Sequence, residues 1–205
     1  MAIHPDGPRS APASASAIAG VRSFVAVLLP DELRHRLSLE IDALRRCTAG
    51  VAWVTPENLH VTLKFLGAVE EARLAEVAAV MAQAMTVSAF DVAVRGLGAF
   101  PTLTRPRVIW AGTAPAPAFV ALGQTVDRAL AALGFPPETR RFAPHVTLGR
   151  AREPRRGPAP AAALEAASTR ALGTLTVGRV SLMRSDLSPR GARYTELYGW
   201  PLPLA

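Results

Sequence analysis

His60-Val61-Thr62-Leu63 returns unchanged as His145-Val146-Thr147-Leu148, 85 positions later (145 − 60). Each copy is rich in β-branched residues and flanked by Pro, Asn or Gly, so each predicts a short β-strand. Side chains on a strand alternate between its two faces. His60 and Thr62 therefore share one face while Val61 and Leu63 anchor the other, and His145 and Thr147 repeat the pattern. The same alternation assigns Lys64 to the face of His60 and Thr62. If two such strands meet across a pseudo-twofold axis, they line one cleft with two imidazoles and two hydroxyls. The repeat thus predicts two related halves with the functional site between them.

The rest of the chain supplies a frame for that pair. Residues 1–20 are small, Pro-rich and almost without aliphatic anchors, which predicts a disordered tail ahead of a single domain over 21–205. Val21 to Leu29 reads as a buried strand. Pro30-Asp31-Glu32 then opens a helix with Leu33, Leu37, Ile41 and Leu44 in one stripe. Strands are expected at 51–55 and 60–67, and a helix at about 70–85 with Leu74, Val77, Met81 and Met85 facing inward. Two further strands, 90–100 and 107–113, precede a third helix at about 116–133, which Gly134 is placed to end. The second signature strand covers 142–150, a basic Pro-rich loop follows, and a weak helix is expected near 161–171. The runs 172–185 and 193–200 read as closing strands. Helices and strands mix without the strict alternation of a parallel sheet, so the expected class is α+β with antiparallel sheets.

Composition narrows the function classes. With 205 residues, half of them apolar, the chain is long enough for a sizeable core. No apolar run approaches the ~20 residues that cross a bilayer. The first twenty residues also lack the basic-then-apolar order of a secretory signal. A cytoplasmic location without a membrane partner is expected. One cysteine, Cys47, permits neither an internal disulfide nor a cysteine cage for a metal. The net charge of +7 is carried by arginine, because Lys64 is the only lysine. Arginine forks match phosphate geometry, but a chain this rich in Ala, Arg, Pro and Gly owes such a bias as readily to genomic base composition. Charge alone names no partner. No dinucleotide fingerprint, phosphate loop or nucleophile elbow is present.

The repeat carries the chemistry. An imidazole titrates near neutrality, so one histidine can act as base while the other donates a proton. In-line attack at phosphorus needs both at once, on opposite sides of the phosphoryl group. Thr62 and Thr147 can donate to the non-bridging oxygens, Arg150 can add a charge-assisted fork, and Lys64 can contact phosphate by its parity. Neither copy has a neighbouring Asp, Glu or second histidine at ligand spacing, so no metal site is expected. The internal symmetry leaves open which histidine is the acid.

WVTPENLHVTLKFLG (53–67) and RFAPHVTLGR (141–150) resemble the paired signatures of the two-histidine phosphoesterases, and within them the RNA 2′,3′-cyclic phosphodiesterases, or 2′-5′ RNA ligase-like family. The likeness extends to RSFVAVLLP (22–30), GLGAFPTLTRPRVIWAG (96–112) and LMRSDLSPRGARYTELYGWPL (182–202), covering nearly everything from 21 to 204. It implies a bilobal pseudo-twofold fold, with two antiparallel sheets facing across a central cleft and helices outside. It also implies metal-independent opening of RNA 2′,3′-cyclic phosphate ends to a 2′-phosphate; no cofactor is expected, and a monomer is expected. By the same resemblance His60 is the proton donor, His145 the proton acceptor, and Thr62, Thr147 and Arg150 hold the phosphate. The alternatives are action on small cyclic nucleotides or an ADP-ribose cyclic phosphate, and a non-catalytic module that grips RNA ends.

Overall fold

The computed structural model describes residues 20–152, 160–189 and 191–204. The predicted tail therefore lies outside the described residues except for Gly20, and so do Arg155 and Arg156 of the basic loop. The strands are β1 (Val21–Leu28), β2 (Val51–Trp53), β3 (His60–Val69), β4 (Phe90–Pro101), β5 (Pro106–Thr113), β6 (His145–Ala151), β7 (Ala171–Val177), β8 (Arg179–Ser188) and β9 (Gly191–Pro201). The helices are α1 (Asp31–Cys47), α2 (Leu74–Ala84), α3 (Pro117–Ala131) and the short α4 (Ala161–Ala166).

Local chemistry accounts for these helices. Pro30 precedes α1, Asp31 and Glu32 occupy its first turn and Arg45 and Arg46 its last, each sign suited to the helix dipole. Leu33, Leu37, Ile41 and Leu44 are buried, as their spacing demands. In α3 the buried set is Phe119, Leu122, Val126 and Leu130, and Gly134 follows with φ of +83°. A 3₁₀ turn at Glu71–Arg73 takes up the start of the run read as the second helix.

All strand pairings are antiparallel, in the order β7-β4-β5-β6-β3-β1-β8-β9, with β2 added alongside β6. The α+β class is as expected. The two sheets are present as four-stranded halves, β7-β4-β5-β6 and β3-β1-β8-β9, of one continuous sheet, joined through β3 and β6. One reading needs correction. The run 172–185 is two strands rather than one, and they serve different halves: β7 pairs with β4, and β8 pairs with β1. The chain crosses between halves at Gly178, and the strong strand formers on both sides of that residue conceal the break.

One hydrophobic core underlies both halves, drawing Leu37 from α1, Met81 from α2, Phe119 from α3 and strand residues such as Val61 and Val146. The helices exchange partners across it. Helix α1, which follows β1 in sequence, packs against β7 and β6 of the other half, and α3 packs against β3. Leu33 of α1 reaches the backbone of Gly173 on β7, where an added Cβ would stand 3.2 Å from Cδ1. The opposite face of the sheet keeps a small cluster of Phe24, Ala26 and Met183, with Tyr194 against it. That is the face of the histidines.

Candidate active site

His60 and Thr62 sit on β3 and His145 and Thr147 on β6. The two strands share a single backbone pairing, Val61 with Val146, and both valines are fully buried in the core beneath. In that antiparallel register His60 stands across from Thr147, and Thr62 across from His145. The four polar side chains are therefore gathered on one face around a local twofold axis. The histidines occupy its diagonal, roughly 7–8 Å apart at the backbone.

Both rings are held in the same way. Nδ1–H of His60 donates to the Asn58 carbonyl at 2.7 Å, and Nδ1–H of His145 to the Ala143 carbonyl at 2.8 Å. A carbonyl only accepts, so this network assigns the proton of the neutral ring to Nδ1 and leaves the Nε2 lone pair facing outward. Nε2 of His60 lies 3.0 Å from Thr62 Oγ1. In the neutral ring the hydroxyl donates to Nε2; in the imidazolium the direction reverses.

The surroundings break the symmetry. Phe24 lies 4.9 Å from the His60 ring and Tyr194 meets it edge-on at 5.3 Å, whereas Phe100 meets His145 edge-on at 5.3 Å. Burial pushes the pKa of His60 below its ordinary 6.5; the Asn58 carbonyl works the other way, and the charges of Arg150 and His145 add to the lowering. The unfolded chain then binds a proton that folded His60 resists. Stability contributed by this site is full above pH 6.5 and declines as pH falls from 6.5 toward the lower folded value. An NMR titration should give a His60 midpoint below 6.5, and His60→Gln should make stability less dependent on pH in that window.

The alternation of faces fails just after each motif. Val25 pairs with Lys64 but its neighbour Ala26 pairs with Thr62, so β3 carries one extra residue. On β6 the same step separates Gly149, opposite Ile109, from Thr147, opposite Trp110. Such a bulge inverts the face of everything beyond it. Lys64 is consequently not a cleft residue, and the parity that assigned it to phosphate is corrected. Its side chain is 2 % exposed, with Nζ donating to Asp127 Oδ1 at 2.5 Å and to the Pro136 carbonyl at 2.6 Å. The same inversion turns Arg150 toward the cleft, where it lines a cavity of about 580 Å³ with His60, Thr62 and Thr147. His145 borders a second, more apolar cavity of about 790 Å³, whose wall includes Phe100, Trp110, Gln124 and Arg141.

The described residues thus bring together His60, Thr62, His145, Thr147 and Arg150, and exclude Lys64. They contain no group of three or more His, Cys, Asp or Glu placed to hold a metal ion. Phe142 packs 5.9 Å from Phe119 and against Gly123, and it also lines the larger cavity. Sequence reading missed Phe24, Tyr194 and Phe100 around the rings, and the two orienting carbonyls. The carbonyls had a signal, since each belongs to the residue two before its histidine. Tyr194 had none, because β9 reaches the site only through β8, whose pairing with β1 joins residues as far apart as Ser23 and Arg184.

A profile described as the 2′-5′ RNA ligase superfamily matches residues 29–189. The chain belongs to that superfamily. One superfamily relative, the RNA 2′,3′-cyclic phosphodiesterase of Methanothermobacter thermautotrophicus, is 37 % identical over 178 residues, covering 86 % of this chain and 96 % of that protein. Another of the same name, from Aeropyrum pernix, is 35 % identical over 164 residues, covering 80 % and 93 %. Among solved structures, a Thermus thermophilus protein matches with a TM-score of 0.74 and 30 % identity, covering 89 % of this chain and 98 % of its own. Escherichia coli LigT, solved with 3′-AMP, matches with a TM-score of 0.72 and 26 % identity over 89 % and 98 %. No helix among the described residues is long and apolar enough to cross a membrane.

Proposed function

We propose that this chain hydrolyses the 2′,3′-cyclic phosphate at RNA 3′ ends, leaving a 2′-phosphate, with His60 as proton donor and His145 as proton acceptor. The observation that carries the reading is the diagonal pair of imidazoles, each with Nδ1–H spent on a backbone carbonyl and Nε2 available for proton transfer. His145 Nε2 takes a proton from water as the water oxygen bonds to phosphorus. The P–O3′ bond breaks on the far side, and O3′ takes its proton from His60 Nε2. Thr62 and Thr147 donate to the non-bridging oxygens, and Arg150 offsets the charge that grows on them. The donor role requires His60 as imidazolium, which its surroundings disfavour in the free protein; an anionic phosphate bound beside it restores that form.

The order of roles follows the superfamily resemblance, and the names of the curated relatives support the substrate class. We assign the protein to the reducing cytoplasm, in keeping with its one cysteine, Cys47, exposed and free. The test is an RNA oligonucleotide ending in a 2′,3′-cyclic phosphate, incubated with the protein in EDTA. The expected product carries its phosphate on the 2′ oxygen, with a rate unchanged by the chelator. A 3′-phosphate product, or activity lost with EDTA and restored by a divalent cation, would overturn the proposal.

A further inference from the structure

Lys64 is buried on β3, two residues past Thr62, and takes no part in the proton transfers. Arginine fills every other basic position of the chain, so a lysine here answers a local demand. A compact ammonium on a flexible stem fits a closed space that a planar guanidinium does not. Its Nζ joins two separate parts of the chain: the Asp127 carboxylate on α3 and the Pro136 carbonyl in the stretch between α3 and β6. Asp127 in turn accepts the N–H of Glu138 at 3.1 Å. From there the chain runs back along one face of α3. Asp127, Gly123 and Phe119 recur at four-residue spacing, so they share that face. Glu138 meets Asp127, while Phe142 lies against Phe119 and against Gly123, where an added Cβ would stand 3.1 Å from the ring. The next residue, Ala143, supplies the carbonyl that receives Nδ1–H of His145. Asn58, which does the same for His60, is anchored elsewhere, its Nδ2 donating to the Ala192 carbonyl at 2.8 Å.

We propose that Lys64 and Asp127 are positioning residues for His145: tied to the strand of His60, they hold the stretch after α3 in place and thereby the carbonyl that aims the His145 ring. The inference rests on the two-histidine reading and adds to it a link between the two signature strands. An apolar pair of similar volume is often as stabilising as a buried ion pair. What this pair supplies is direction, because the Pro136 carbonyl and the Glu138 N–H are each satisfied by one placement of their partner. Strand β3 otherwise meets β6 through a single backbone pairing. A reacting group displaced by about 1 Å can cost about a hundredfold in rate.

The test is Lys64→Met combined with Asp127→Leu, which has no charge to desolvate and so keeps the fold while losing both directed bonds. On a cyclic-phosphate RNA end, kcat is expected to fall about tenfold or more, with KM within about twofold of wild type. Nitrogen NMR above about pH 8, where both rings are neutral, should show His145 passing from the Nδ1–H tautomer to a mixture while His60 keeps Nδ1–H. Wild-type kcat in this variant, a loss carried by KM instead, or a His145 that keeps its tautomer would overturn the proposal. Should the double variant not fold, Lys64→Met alone, which leaves Asp127 to water, is read in the same two ways. If wild-type protein does not turn over the RNA end, the RNA-end reading fails, and the tautomer of His145 against that of His60 then decides the positioning role by itself.

Discussion

His60→Ala and His145→Ala are each expected to lower kcat on a cyclic-phosphate RNA end by at least a hundredfold. A positioned general acid or base contributes roughly 10²–10⁴ in rate, and each histidine serves a different side of the phosphorus. The double variant should fall little further than the worse single one, because groups that act in one concerted step are not additive. Both rings lie on the cleft face, over valines that carry the packing, so the variants should keep the wild-type circular dichroism spectrum. The pH profile separates the roles. Wild-type activity should be bell-shaped, and each alanine variant should lose the limb of the histidine it lacks. A single variant that retained more than a tenth of wild-type kcat would refute two-histidine catalysis.

Asp127→Ala should be strongly destabilising although it lies away from the cleft. Burial works against its charge, yet the hydrogen bonds from Lys64 and from the Glu138 N–H hold its carboxyl below the ordinary range. Removing it strands an ammonium that is 2 % exposed with one backbone carbonyl as its remaining partner. Breaking a buried pair in this way costs about 3 kcal/mol or more. For a domain of this size that lowers Tm by about 6–12 °C. Lys64→Met should cost less, because Asp127 lies partly at the surface and water can take the lost partner's place. Lys64→Met combined with Asp127→Leu should regain most of the loss, since an apolar pair has no charge to desolvate. Chemical denaturation of the three variants tests the ranking. Asp127→Ala within about 1 kcal/mol of wild type would contradict it.

Much of this fold and most of its site can be read from local patterns. The helical stripes, the twin motifs and the class follow from periodicity, because burial has to match the repeat of each element. The motif's own alternation predicts that His60, Thr62, His145 and Thr147 share a face. What escapes is set by pairing rather than by propensity. A bulge has no composition of its own here: Lys64 marks the position in one strand and Gly149 in the other. Strict alternation therefore placed Lys64 in the cleft and gave no reason for Arg150 to be there. The division of 172–185 between halves, and the approach of Tyr194 to His60, likewise depend on which distant strand each segment meets.

The exchange of helices across the sheet has a mechanical result. Strands β3 and β6 share one backbone pairing, a weak seam for residues whose spacing decides the chemistry. Helix α1 reaches from the first half beneath β6 and β7, and α3 reaches back beneath β3, so the joint is lapped from behind in both directions. Prising the seam open would drag each helix across a bed of close-packed aliphatic side chains. The reacting groups are thereby kept at a fixed gauge by parts of the molecule that never touch the substrate.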